Sequence, residues 1–257
     1  MGTGRVLLIL LPILGAAVLG AVIGSFLGAA LVRLPEGRSV LAGRSACDSC
    51  GKELAPAELV PVFSWLVQRG VCRGCGAEIG WWQLGAELGG AAIGALAATF
   101  SFFPLAAMAL GWQLLLLALL DLQHLWLPRV LTLLLAASGV LVTTLWAVQA
   151  RDPMVLVEAL VGGTFGFATL WLVGQGYERL RGREGLGGGD PPLLGAIGLW
   201  LGPLGVIHTL LLASLGGLAV AGVMLRMGRR VEPDTALPLG TLLAAAAWPV
   251  FLWQGAM

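Results

Sequence analysis

The length and spacing of its apolar runs constrain this chain more than anything else in it. A hydrocarbon core about 30 Å thick is crossed by a helix of about 20 residues. Runs of that order recur at 6–31, 84–102, 104–120, 130–148, 154–174 and 237–253. A further apolar stretch covers 193–225, which as one helix would be about 50 Å long, too long for a single crossing. Gly202-Pro203 offers a break, so the sequence predicts a short helix over 193–201 that turns back into a full span over 204–225. Hydrophobic residues make up 58% of the chain and charged ones 11%, with a mean hydropathy of +0.91. That is too little polar surface to coat a soluble globule. The expected fold class is therefore all-α, a polytopic helical membrane protein of about eight segments. A net charge of +1 gives no field that would favour nucleic acid. Arg5 followed by an apolar run resembles a signal peptide, but no polar cleavage region follows, so this run is expected to be retained as the first span.

Cytoplasmic loops carry the excess of Lys and Arg, and eight segments divide the basic residues thirteen to two. One side receives those of 33–73, Arg129, Arg179, Arg181, Arg183, Arg226, Arg229 and Arg230; the other receives Arg5 and Arg151. The expected orientation has both termini outside and the large loop in the cytoplasm. A single crossing over 193–225 would move Arg226, Arg229 and Arg230 outside, so parity favours the turn at Gly202. Small-residue series at Gly15, Gly20, Gly24 and Gly28, and at Gly85, Gly89 and Gly90, suit close helix packing in lipid.

The only sizeable polar segment, about 33–81, holds all four cysteines as two CxxC knuckles, Cys47/Cys50 and Cys72/Cys75. Each knuckle is followed by glycine, Gly51 or Gly76, which lets backbone amides face the sulfurs. Four thiolates so spaced make a tetrahedral structural zinc site. Two disulfides or four free thiols are the alternatives, and a reducing compartment disfavours the first. Four thiolates leave no position for water, so the metal would serve folding and not catalysis. The expected division is a first transmembrane helix at 1–32, a cytoplasmic zinc module at 33–81, and a membrane core at 82–257.

Two carboxylates stand at the edges of apolar runs. Asp121 ends one and begins DLQHLWLP; Asp190 closes the glycine cluster of EGLGGGDPPLL at 184–194. Each has an ordinary account. Asp121 could be solvated by headgroup water, and Asp190 could cap a helix whose first residue is Pro191. Ionisable groups at membrane depth are nevertheless uncommon and usually functional, and the expectation is that these two meet in the fold. Carboxyls brought close cannot both ionise easily, so they share a proton; one then activates a water while the other polarises a scissile carbonyl. His124 and His208 are the only histidines, and His208, deep in an apolar run, reads as a packing residue. A proton-relaying transporter and a catalytically silent scaffold are the other readings. No duplicated half with matching broken helices is visible, which counts against the transporter.

These residues together resemble the bacterial type IV prepilin leader peptidases, of the GxGD class of intramembrane aspartic proteases. The resemblance covers nearly the whole chain, through GSFLGAALVRLP at 24–35, LVPVFSWLVQRGVCRGC at 59–75, DLQHLWLPRVLTL at 121–133, GGGDPPLLGAIGLWLG at 187–202 and LPLGTLLA at 237–244. It implies that Asp121 and Asp190 are the catalytic pair and that Gly187 and Gly189 give a flexible approach to Asp190. It also implies a bacterial inner-membrane location and a prepilin or pseudopilin substrate, with a short basic leader and a hydrophobic helix. Many members also methylate the new amino terminus with S-adenosylmethionine, and the cysteine loop is associated with those. Glu87, in an otherwise apolar span, is a weak candidate for that methyl-donor site; a buried hydrogen-bonded carboxylate is the alternative. Glu36, Glu53, Glu58, Glu78, Glu178 and Glu184 are candidates to meet the basic leader. The chain departs from the family at Gly28 in place of Asn, Arg129 in place of an acid and Pro192 in place of Lys.

Overall fold

The computed structural model describes residues 3–183, 185–228 and 237–254; Glu184, Arg229 and Arg230 lie outside the described residues. Regular structure is helical: α1 (Thr3–Arg33), α2 (Phe63–Val67), α3 (Trp81–Phe100), α4 (Pro104–His124), α5 (Arg129–Ala150), α6 (Met154–Arg181), α7 (Asp190–Arg226) and α8 (Leu239–Gln254). Strand-like pairing among the described residues is limited to isolated bridges, Ala46 with Glu53 and Val71 with Glu78. Five helices are long and apolar enough to cross a membrane, namely α1 over Leu10–Arg33 and α4 to α7, and α8 is a shorter apolar helix. α3 keeps 20 residues, but Gln83, Glu87 and four glycines dilute its apolar character. With α7 counted as two arms, the expected eight segments are all present as helix.

The chain forms two compact units, Met1–Leu116 and Leu117–Met257. In the first, α1 and α3 meet along the predicted small-residue series. A Cβ on Gly20 or Gly24 would collide with the backbone of Gly90 or Ala86, and one on Gly94 with the carbonyl of Ala16. Gly15 and Gly85 face open space and take no part. Backbones this close gain dispersion contacts that larger residues would forbid, which is how helices associate where no hydrophobic drive exists between them.

In the second unit α6 and the first arm of α7 pack in the same way, Gly162 against Gly198 and Gly166 against Leu194. Trp200 fills the gap above Gly139 of α5 and donates its indole N–H to the Leu135 carbonyl at 2.9 Å. The break expected at Gly202-Pro203 is there: Gly202 has φ 66° and ψ −178° inside α7. Three neighbours show that the chain turns back at this point. Gln254, at the end of α8, bonds the Leu201 carbonyl at 3.4 Å and lies against Gly205. Leu242, near the start of α8, lies against Gly216 and Gly217. Asp190 and Thr241 both flank Asp121. Residues 190–201 thus run parallel to α8 and residues 203–226 antiparallel to it, as only a reversal allows.

Gly202 occupies a backbone region open essentially to glycine alone, and 3.9 Å of clearance to the Glu158 carbonyl leaves room for a methyl group. Gly202→Ala therefore isolates backbone strain from crowding. It is expected to destabilise the protein by about 1–3 kcal/mol, whereas Gly222→Ala, at an open helical position, should not. Thermal unfolding of both variants in the same detergent measures the difference.

Candidate active site and cysteine centre

Three chain segments converge on Asp121: the end of α4, the turn before α7 and the start of α8. Leu127 is wedged between the last two. A Cβ on Gly189 would lie 2.7 Å from Leu127 Cβ, and one on Gly240 would lie 2.9 Å from Leu127 Cδ1 and 3.0 Å from Asp121 Cγ. Glycine is required at both places because a larger residue would push the turn and α8 away from the carboxylate. Leu127 is held by the short link after α4, where the Leu125 amide bonds the Asp121 carbonyl at 2.8 Å and Pro128 is the N-cap of α5.

Asp121 and Asp190 are each almost wholly buried, at 5% and 6% exposure, and their carboxyls are close enough to interact electrostatically. The fold thus brings both aspartates to one end of the second unit, around Leu127. It does not give Asp190 the expected capping role. Gly189 is the N-cap, its carbonyl accepting the first helical bond from the Leu193 amide at 3.1 Å. A tight turn, with the Asp190 amide on the Gly187 carbonyl at 3.0 Å, draws Asp190 into the first helical position. Its carboxyl is spared from capping and lies against Gly187, where a Cβ would come within 2.9 Å of Oδ2. Of the glycines singled out, Gly187 makes room for the carboxyl and Gly189 makes room for Leu127.

Sequence reasoning missed Thr241. Its backbone amide donates to Asp121 Oδ2 at 2.7 Å, and its hydroxyl lies 3.1 Å from the same oxygen and 2.9 Å from the Ala118 carbonyl. Among the described residues no hydrogen bond reaches Oδ1. The only sequence signal was a polar residue opening an apolar span within LPLGTLLA, which by itself reads as an ordinary helix start. His124 and Arg129 are exposed, and His208 stacks edge-on against Trp253 at 5.1 Å, as a packing residue would.

The four cysteines meet as predicted, their sulfurs all within 4.8 Å of one another. Each knuckle is built alike: the Cys47 amide bonds the Lys52 carbonyl and the Gly51 amide the Cys47 carbonyl, and Cys72, Ala77 and Gly76 repeat the pattern. Gly51 and Gly76 take the left-handed φ of 69° and 74° that closes each turn. Cys47 Sγ and Cys75 Sγ are 3.9 Å apart, far too long for a disulfide and close to the ~3.8 Å between sulfurs that share a tetrahedral ion at 2.3 Å. Backbone amides of Cys50 and Ser49 pull the Cys47 thiol down to about 7. The Ala77 amide acts likewise on Cys75, but proton sharing with Cys50, burial and the remaining thiols push it up to about 11. The donor set fits one metal ion.

Glu87 is a tie and not an open carboxylate. Oε2 accepts the Val62 amide at 2.7 Å and Oε1 the Gln83 carboxamide at 3.0 Å. Gln83 also reaches the Ser25 carbonyl and hydroxyl at 3.2 and 3.3 Å. Gly28, at the position where the resembled family has Asn, leaves the space that the Gln83 side chain fills. Glu36, Glu53 and Glu58 are already paired inside the module, with Arg38, Arg44 and Lys52.

Comparison with known proteins agrees with this anatomy. The model of the bacterial peptidase A24 N-terminal domain matches residues 18–101, and that of the type IV leader peptidase family matches residues 108–222. A Pseudomonas aeruginosa protein named prepilin leader peptidase/N-methyltransferase is 34% identical over 94% of this chain and 90% of its own. Proteins of the same name from Aeromonas hydrophila and Burkholderia pseudomallei are 36% and 37% identical over 84% and 90% of this chain, and over 73% and 82% of their own. No solved structure matches. Matches to both family models and to relatives over most of its length place the chain in the type IV leader peptidase family.

Proposed function

We propose that this protein is a membrane aspartic endopeptidase that cuts the leader from type IV prepilins or pseudopilins, with Asp121 and Asp190 as the catalytic pair. The observation that carries the reading is the burial of both carboxyls at one end of the second unit, within electrostatic reach of each other. Like charges so placed hold one proton between them. The Thr241 amide fixes Asp121 Oδ2 in place, and Asp121 serves as the base. It takes a proton from a water whose oxygen bonds the scissile carbonyl carbon. Asp190 gives its proton toward the carbonyl oxygen. When the C–N bond breaks, the leaving amine takes the proton now on Asp121 while a hydroxyl of the tetrahedral intermediate returns its proton to Asp190, so the pair again holds one proton. Thr241 is a positioning residue in this scheme.

The orientation follows from loop charge, with the cysteine module in the cytoplasm and both termini outside. The leader's basic residues then sit in the cytoplasm while its apolar stem packs among the helices. For the cysteine centre the ion is zinc, held by Cys47, Cys50, Cys72 and Cys75, and it folds the module without touching the reaction. The relatives' names include N-methyltransferase, and we extend that second activity, with S-adenosylmethionine as donor, to this chain.

Asp121→Asn and Asp190→Asn should each lower cleavage of a prepilin-like substrate by about 10²–10⁴-fold, scored by mass loss of the leader. Full cleavage by either variant would remove that aspartate from the reaction, and no cleavage by the unaltered protein would return the chain to the scaffold reading. In the same reaction the donor should add one methyl mass to the mature product. Thr241→Val keeps the amide but loses the hydroxyl, so kcat should fall about 10-fold with KM unchanged, and Thr241→Ser should restore it. Purified protein should hold about one zinc per chain, and Cys47→Ser or Cys72→Ser should lose it, read by metal analysis.

A further inference from the structure

Residues 59–67, LVPVFSWLV, form an uncharged stretch inside an otherwise charged module. They do not fold inward. Phe63 is 69% exposed, Leu66 54% and Val67 67%, and Leu59 and Val60 are exposed as well. A polar module in water would not present so many large apolar side chains from one short segment.

Where this segment sits is set by two part-buried hydrogen bonds. The Val62 amide is bound to Glu87, which is itself 4% exposed. Val62 is held at φ 65°, a conformation unfavourable for a β-branched residue and sustained by its surroundings. Glu87 lies six residues into α3, about 9 Å along its axis. It touches α1 at Gly24, nine residues before Arg33 ends that span, or about 13 Å inside. The tied segment is therefore sunk below the ends of both helices. Phe26 and Leu88 are exposed at the same level, as lipid-facing side chains are. The stacked pair Trp81–Trp82 marks the start of α3, the position of aromatic belts at a membrane interface. Trp65 Nε1, bonded to the Ile79 carbonyl at 3.3 Å, straps the far side of α2 to that same point.

We propose that residues 59–67 are a re-entrant anchor, with Phe63, Leu66 and Val67 seated among phospholipid acyl chains just beneath the headgroups. The cysteine module is then fixed to the bilayer surface and does not hang free in water. Lipid suits the segment better than a protein partner because it carries no charge or exposed hydrogen-bonding side chain to confer selectivity, and its level matches that of lipid-facing residues. This placement is independent of which residues do the chemistry.

The full chain in phosphatidylethanolamine/phosphatidylglycerol nanodiscs, carrying a photoreactive benzoylphenylalanine at Phe63 or Leu66, tests the idea. Leu41, apolar and 92% exposed in the same module, in a loop bonded to the helices, among the described residues, only at the end of α1 at Arg33, is the control. Photolysis should give phospholipid adducts at 63 and 66 at least about five-fold above those at 41, read by intact mass, as a side chain inserted into the interface requires. Both positions are already exposed, so the probes leave folding intact, and unchanged helical circular dichroism checks this. Adduct levels at 63 and 66 no higher than at 41 overturn the proposal. So does preferential crosslinking of both to an added prepilin-like peptide, which would assign the face to substrate.

Discussion

In hydrocarbon there is no water to rescue a polar group, so each one must be satisfied by the protein or kept where water reaches. Most of this structure follows from that constraint. Thr144, Thr164 and Thr169, on exposed helix faces, turn their hydroxyls back to carbonyls four residues earlier. Glu87 is bonded on both oxygens. Asp121 has an amide from a helix 120 residues further along the chain. A carboxylate at this depth costs several kcal/mol unless it is paired or bonded, so α8 must begin beside Asp121 in the last turn of α4. The reversal at Gly202 lets residues 203–226 return toward that end and present Gly216 and Gly217 to Leu242 of α8.

Small residues make such placement affordable in a second way. Helices in lipid gain little from burying apolar surface, because the tails are as apolar as leucine. Close backbone contact replaces that gain. The Gly20/Gly90 and Gly162/Gly198 crossings are so tight that a methyl group would displace the backbones. At the aspartates glycine serves differently: Gly187, Gly189 and Gly240 clear space for a carboxyl or for Leu127. One residue type thus serves both packing and the site.

Much of this could be read from the sequence. Apolar length gave the spans, and the excess length of 193–225 with Gly202-Pro203 forced a turn, because a helix about 50 Å long cannot fit a core near 30 Å. CxxC spacing gathered the four sulfurs because each knuckle closes locally, by bonds spanning five residues or fewer. What could not be read depends on contacts between distant segments. Thr241 and Leu127 matter only because α8 and the turn before α7 arrive beside Asp121, and no local pattern announces that. Asp190 was expected as a cap because Asp-Pro usually is one; the tight turn on Gly187 moved it by one position. Glu87 had two readings of equal standing until Val62 and Gln83 were seen to occupy both oxygens.

Pro192 sharpens what the proposed chemistry requires. In the resembled family a lysine there would place a cation next to the second aspartate, and this chain has an uncharged ring. Asp190 is left with the first turn of its own helix and the backbone of Gly187. Asp121 has the amide and hydroxyl of Thr241. With no cation supplied at 192, the two buried carboxyls are surrounded by neutral groups at these contacts. Neutral hydrogen bonds act at short range and only in the right geometry. The surroundings of both carboxyls are thus tied to the seating of α8 and of the Gly187 turn.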